Sequence, residues 1–598
     1  MGLLPLLLLA GVDWQPWSSD TLDRARRQDR LVFVAVTRGE IQPLLDDEAL
    51  ASTLADGFVA VRVDRDERPD LADIARLASI LSSDASPPEP RAPVWALLTP
   101  ALHPVVAGAF DALTPAGLAA HLAAAVNSYR HRRAEIEGLA GVAAARLAAA
   151  QTPEPPEGPL DRVVVERALK GAGETKGPLS PGSLRLLLAE FSRSPIAPNR
   201  DALTRGLVTF VEAPVPTDVA DRALRLCILA EGFGATGWTP LREAASAAAV
   251  QLAEGPRDAE GVFIRGGDQP RAFAFENGLA IRALVASSSA LGRAGDLEVA
   301  SRAAAGTIAE LGPWPTLVRC GGPAGRCGGA FLEDYAFLAE GLLDLHDATG
   351  VPRWRDEALH AVDAAIGRFV DASAGGWFDT DSSHAPLPAR LRNGYDGDRP
   401  SANGVMAAVL LRLARATGEK RFADLSRDIV EAFRGDLQRA PGGMETMAAA
   451  AAPFTAVPAA STREAPHSVR ETRGPVTLEV SLEPAHVRSD RRATARIHLA
   501  IAPPWVVNGH RPMAADLVPL TVSIPGDRFV VGSVTYPAAQ ACATEAQIVV
   551  PLRLRSDLPP GPTVVRLTVR FQLCQGAACQ APDSVILEVP FPVEAPVR

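Results

Sequence analysis

The sequence predicts three fold classes in succession, α/β, then all-α, then all-β, and three changes of pattern predict it. Apolar runs near 31–36, 59–63 and 94–98 alternate with amphipathic helical stretches at the start. Between about 160 and 450 the apolar residues recur at three and four spacing, and Gly and Pro punctuate them. After Gly474 the period falls to two, as in Val476-Thr477-Leu478-Glu479-Val480-Ser481-Leu482. A chain of 598 residues exceeds a single core. With 47% hydrophobic and 22% charged residues it is an ordinary globular mixture, and a net charge of -10 argues against a nucleic-acid partner.

In the first unit, expected over 12–130, the order is amphipathic helix, buried strand, turn, helix, buried strand. That is the order of a thioredoxin-like fold. Where a redox member places Cys-x-x-Cys at a helix start, this chain reads Thr37-Arg38-Gly39-Glu40-Ile41-Gln42-Pro43. A thiolate is what attacks a disulfide, so this unit is expected to be redox-inactive. Pro93 stands just before the third strand, where a cis proline faces the active site in such folds, and the cis form is expected. The turn Asp64-Arg65-Asp66-Glu67-Arg68-Pro69-Asp70 reads as a solvated, self-paired loop. Ahead of this unit, the apolar stretch 1–11 reads either as an export-signal core or as a buried segment. No stretch is long and apolar enough to span a bilayer, so no integral membrane segment is expected.

The stretch 151–159 is a Pro-rich linker. The helical unit follows over 160–445, where roughly 290 residues at about 24 per helix and loop allow some twelve helices. Paired helices in that number can close into an α/α toroid. Residues 446–472 are Ala/Pro/Ser-rich and read as a second linker. Short alternating strands over 473–598 predict a β-sandwich.

Six cysteines are few for this length. Two local pairs, Cys320/Cys327 and Cys574/Cys579, suit an oxidising compartment, which places the protein in the periplasm or cell envelope, with the cytoplasm as the alternative. Cys320-Cys327 reads as a loop-closing disulfide. No Cys/His cluster has metal-site spacing, so no metal and no cofactor are expected. The Cys574-Cys579 spacing suits a disulfide within one turn; a reversible dithiol, a static staple and an idle reduced pair all remain open.

Several stretches resemble the spermatogenesis-associated, thioredoxin-like family. They are 63–70, Asn277-Gly278-Leu279, Phe331-Leu332-Glu333-Asp334-Tyr335-Ala336-Phe337, and the long run from Arg390 to Asn403. The resemblance implies a thioredoxin-like domain followed by a toroid of the six-hairpin glycosidase type. Departures accompany it: the Cys-x-x-Cys is missing, Glu276 stands where a Trp is usual, and the front half of the toroid, about 160–265, is compressed. The last unit resembles the immunoglobulin-like N-terminal periplasmic domain of the thiol:disulfide interchange protein DsbD. Pro503-Pro504-Trp505-Val506-Val507-Asn508, Tyr536-Pro537 and the stretch 571–582 around Cys574 and Cys579 carry that likeness.

The leading expectation is a cell-envelope thiol-disulfide or binding accessory. Cys574 and Cys579 would exchange with a thioredoxin-like or DsbD-like partner. The rival is a carbohydrate-binding or carbohydrate-active protein with Asp334 and Asp396 as acid and base. Asn277, Tyr335, Arg390, Arg392, Ser401 and Asn403 would then line a saccharide cleft. Turn and N-cap roles for Asp396 and Ser401, and loop-holding ion pairs for Arg390 and Arg392, are the structural alternative. A non-catalytic scaffold is the third expectation.

Overall fold

The structure, a computed structural model, describes residues 12–38, 42–82, 91–110, 113–151, 156, 158–193, 199–266, 270–323, 325–371, 375–455, 468–483, 487–488, 492–514, 517–524, 529–538, 541–542, 545–554, 561–576 and 578–594. The apolar stretch 1–11 lies outside them.

The first unit is built on strands β1 (Leu31–Thr37), β2 (Phe58–Asp64), β3 (Val94–Leu98) and β4 (Pro104–Ala109), in the sheet order β2-β1-β3-β4. β1 and β2 run parallel, and β3 and β4 return antiparallel. Every residue of β1 is buried because helices cover both faces. The helices are α1 (Ser19–Gln28), α2 (Gln42–Leu45), α3 (Glu48–Gly57), α4 (Pro69–Ser82), α5 (Pro115–His131) and α6 (Arg133–Ala149). Leu22, Leu71 and Ala75 fill one face, and Leu50, Leu54, Leu118 and Leu122 the other. Two expectations are corrected. Helix α6 packs back on α4 and β4, so the unit runs past 130 to Ala149. The bond before Pro93 is trans; the cis bonds among the described residues precede Pro313, Pro315 and Pro504. Pro93 opens β3, where its missing N–H costs no ladder bond, while its carbonyl accepts the Phe110 amide.

Helices α7 (Arg162–Glu174), α8 (Pro181–Arg193), α9 (Arg200–Glu212), α10 (Val219–Thr236), α11 (Thr239–Ala253), α12 (Ala274–Leu291), α13 (Ala294–Leu311), α14 (Leu332–Thr349), α15 (Pro352–Phe369), α16 (Ala402–Thr417), α17 (Lys420–Ala432), α18 (Arg434–Arg439) and α19 (Glu445–Ala451) follow. Helices α8, α10, α12, α14, α16 and α19 each pack on the next, and α19 packs back on α8. The ring is therefore closed, with α7, α9, α11, α13, α15 and α17 outside it. The compressed front half keeps its full set of hairpins. Its economy lies in length, since α7, α8 and α9 have 13 residues each against 18 in α12 and α14.

The stretch expected to begin a linker at 446 instead lies in α19, whose Met447, Ala448 and Ala451 are buried. Its small side chains allow the short helix to seat against α16: a Cβ on Gly404 would stand 3.0 Å from the Met447 nitrogen. Asn277 and Asn403 play matching parts near the starts of α12 and α16. Asn277 Oδ1 accepts the Phe263 amide and its Nδ2 donates to the carbonyls of Phe263 and Phe273. Asn403 Oδ1 accepts the Trp377 amide, and its Nδ2 donates to the carbonyls of Trp377 and Asn393. Each clamps an incoming loop onto the ring, and the Gly that follows gives the next inner helix room.

The last unit is a β-sandwich. A five-stranded sheet includes Val476–Glu483, Arg492–Ile501 and Glu545–Leu554, and a four-stranded sheet includes Gly561–Phe571 and Asp583–Glu594. Alternate residues such as Val480, Ile497, Ile548, Leu567 and Leu587 point into one core.

Candidate functional site

The acidic turn at the end of β2 is one of the places where the first unit meets the toroid. Asp64 Oδ1 accepts the amides of Asp66 and Glu67, and Arg68 pairs with Asp70, as a self-contained turn would do. Asp66 and Glu67 depart from that expectation. Asp66 is 2% exposed and bonds Arg38 of its own unit, Arg265 (2.7 Å) and Arg399 (3.5 Å). Burial opposes its charge, yet Arg265, Arg38 and Arg399 together hold the carboxyl well below the usual range. Its carbonyl accepts Nε of the fully buried Arg319 at 2.7 Å. Arg319 lies 4.2 Å from the Phe275 ring centroid and pairs with Asp334 and Glu333. Glu276 is buried against Arg265. The turn is therefore a plug of acid in a crown of toroid arginines, and the charges that looked self-paired are shared across two units.

Beside this plug, a cavity of about 300 Å³ separates the start of α4 from the mouth of the toroid. Asp73 and Arg76 of α4 form one wall; Phe331, Glu333, Asp379 and the loop leading to α16 form the other. Asp73 lines this cavity and its side chain is about a third exposed, with the rest packed among both units. Burial accordingly pushes its carboxyl up to about 6 despite Arg76 at 2.7 Å. Asp379 is raised well above its ordinary value, first by burial and next by the charge of Asp73. Two carboxyl groups that burial pushes upward thus line one cavity, one from each unit. Such groups can donate or accept a proton.

The expected site residues divide. Asp396 and Ser401 line this cavity. Asp396 is raised to about 6 by burial, but its oxygens accept the amides of Ser401 and Thr446 and staple the loop to α19. Ser401 caps α16 by accepting the Gly404 amide. Asp334 is corrected: it does not line the cavity. It is fully buried, and its oxygens accept the amides of Phe275 and Phe331 and a bond from Arg319. The Tyr335 hydroxyl donates to the Pro315 carbonyl. Arg390 lies over Phe378 and bonds the Thr380 carbonyl; Arg392 pairs with Asp371 and bonds the Gly375 carbonyl. With Asn277 and Asn403, these residues hold loops rather than line the cavity. Asp73 and Asp379 were missed, and no motif marks either one.

Both cysteine pairs are disulfides. Cys574 is buried and Cys579 exposed on facing strands of a hairpin. Cys574 Sγ has the neutral Asn508 Oδ1 at 3.7 Å.

Residues 7–147 match a thioredoxin-like family model described as a protein of unknown function, DUF255. Spermatogenesis-associated protein 20 of Homo sapiens is 41% identical over 118 residues, covering 20% of this chain and 15% of its own length. An uncharacterized Caenorhabditis elegans protein is 31% identical over 106 residues, or 17% of this chain and 14% of its own. The chain thus spans about a seventh of the length of these curated relatives. Among solved structures, a GH76 alpha-mannanase from Bacteroides thetaiotaomicron has a TM-score of 0.38 at 10% identity, covering 49% of this chain and 95% of that one. An unsaturated glucuronyl hydrolase from Bacillus sp. has a TM-score of 0.38 at 15% identity, covering 45% of this chain and 83% of that one.

Proposed function

We propose that the cavity between the thioredoxin-like unit and the toroid mouth binds a small polyhydroxylated ligand of the saccharide class, with Asp73 and Asp379 as its acid-base pair. The observation that carries this reading is that both raised carboxyls line one cavity, one from each unit. A carboxyl that keeps its proton donates to a hydroxyl oxygen, and an ionised one accepts from a hydroxyl, so the pair suits a ligand rich in both. Arg65 and Arg76 add donors, and the Tyr395 ring and Pro400 add flat apolar surface. The redox-inactive unit then serves as one wall of the site.

Calorimetric titration with a panel of neutral and acidic mono- and disaccharides tests it. Binding by the intact chain should weaken at least about tenfold in both Asp73→Asn and Asp379→Asn, the loss of a good charged hydrogen bond. Unchanged affinity in both variants, or no binding across the panel, refutes it.

A second reading rests on the exposure of Cys579. An incoming thiolate of a thioredoxin-like or DsbD-like partner reaches this sulfur directly, and two disulfides suit work in the cell envelope. Differential thiol alkylation in intact cells tests this reading. A mixed population at Cys574 and Cys579 that shifts on loss of envelope reductants supports it, and a static one defeats it.

A further inference from the structure

Strands β5 (Ala272–Phe273), β6 (Val318–Gly321) and β7 (Cys327–Gly329) form a small sheet at the toroid mouth, beside the acidic turn. Cys320 and Cys327 face one another across β6 and β7 and are joined. Their surroundings differ from those of the other disulfide. Cys320 is fully buried, and Arg271 Nη1 stands 3.4 Å from its sulfur. Cys327 is half-buried and so reachable from solvent.

Arg271 also pairs with Glu67 at 3.1 Å, and the Glu67 carboxylate lies within 4.8 Å of both sulfurs. Burial raises the Glu67 carboxyl, which weakens its opposition to a second negative charge. The other two cations of the hairpin are engaged elsewhere, Arg319 with Asp334 and the Asp66 carbonyl and Arg326 with the Glu310 carbonyl.

We propose that Cys320–Cys327 is an exchangeable disulfide with a fixed polarity: Cys327 is the sulfur attacked, and Cys320 leaves as a thiolate held by Arg271. A thiolate of an external dithiol forms a bond to Cys327 Sγ. The Cys320–Cys327 bond breaks, and its electron pair goes to Cys320 Sγ. The second thiol of the dithiol then displaces Cys327, so the dithiol is oxidised and this pair reduced by two electrons and two protons overall. A leaving thiol of lower pKa leaves faster, and a guanidinium beside the sulfur lowers it. The proposal is independent of the saccharide reading, because neither sulfur lines that cavity.

The test uses the intact protein, reduced by dithiothreitol and quenched at intervals by alkylation, with each cysteine read by mass spectrometry. Arg271→Gln should slow opening of Cys320–Cys327 by about threefold or more, because the leaving thiolate loses the cation beside it. Arg271→Lys should stay near the wild-type rate. Equal rates in wild type and Arg271→Gln overturn the proposal, as does equal slowing in both variants, which would mark a packing effect. Brief exposure to glutathione gives a second readout. The adduct should map to Cys327, and an adduct on Cys320 reverses the assigned polarity and refutes it.

Discussion

Asp66→Asn removes one charge from the docking crown while keeping the shape of the side chain. In the structure Asp66 holds Arg38, Arg265 and Arg399, and each of these has another carboxylate: Asp218, Glu276, and Glu333 respectively. Removing one partner of a buried ion pair costs about 3–5 kcal/mol. Because no arginine is left without an anion, the lower end applies, about 3 kcal/mol, or roughly a hundredfold in the docking equilibrium. A chain of several units does not unfold in one step, so a global midpoint is the wrong readout. Hydrogen exchange of peptides covering 64–70 and 318–321 reads the clamp directly. Their protection should fall about a hundredfold, while that of the β-sandwich stays unchanged. The same peptides should respond to pH in the unaltered protein. Asp66 has a depressed value when docked, so its contribution is complete above the unfolded value of about 4 and fades as pH falls below it. Unchanged protection in Asp66→Asn would refute the claim that this carboxylate holds the two units together.

Two further substitutions test the ring. Asn403→Ala leaves the buried Trp377 amide and carbonyl without their partner, at about 1–3 kcal/mol for each group, and thermal scanning should show a lower transition. Gly278→Ala places a Cβ 2.5 Å from the Phe337 carbonyl carbon and 2.6 Å from the Leu338 nitrogen, backbone atoms that cannot rotate aside. It should cost at least about 1–3 kcal/mol, or fail to give soluble protein; a wild-type melting profile would show that α12 and α14 have slack.

The three fold classes were legible because period is a local property: 2 in Val476–Glu483, 3.6 in α14, and an unbroken apolar run in β1. Helix α19 was not, since an alanine-rich helix carries little apolar contrast and resembles a linker by composition. The turn 64–70 balances its charges equally well alone or with distant arginines, so sequence gave no reason to bring Arg265 and Arg399 to it. Asn277 and Asn403 stood out as polar residues in specific motifs, but their bonds go to backbone amides and carbonyls, which leave no mark in a sequence. Asp73 and Asp379 acquire their shifts only from a cavity enclosed by two separate units, and nothing local to either residue announces it.

The residue that follows β1 shows how the thioredoxin-like unit is held against the toroid. Arg38 follows β1 directly, inside the stretch where a redox thioredoxin-like fold carries Cys-x-x-Cys. Its guanidinium bonds Asp66 of its own unit and reaches Asp218, the N-cap of the inner helix α10. A thiol active site must stay open to its substrate, whereas this edge of the domain is closed against the toroid by ion pairs. The two roles exclude each other at one position. Docking in turn brings α4 over the toroid mouth and carries Asp73 to the same cavity as Asp379. The edge that Arg38 ties to the toroid thus belongs to the same unit whose α4 makes a wall for the cavity.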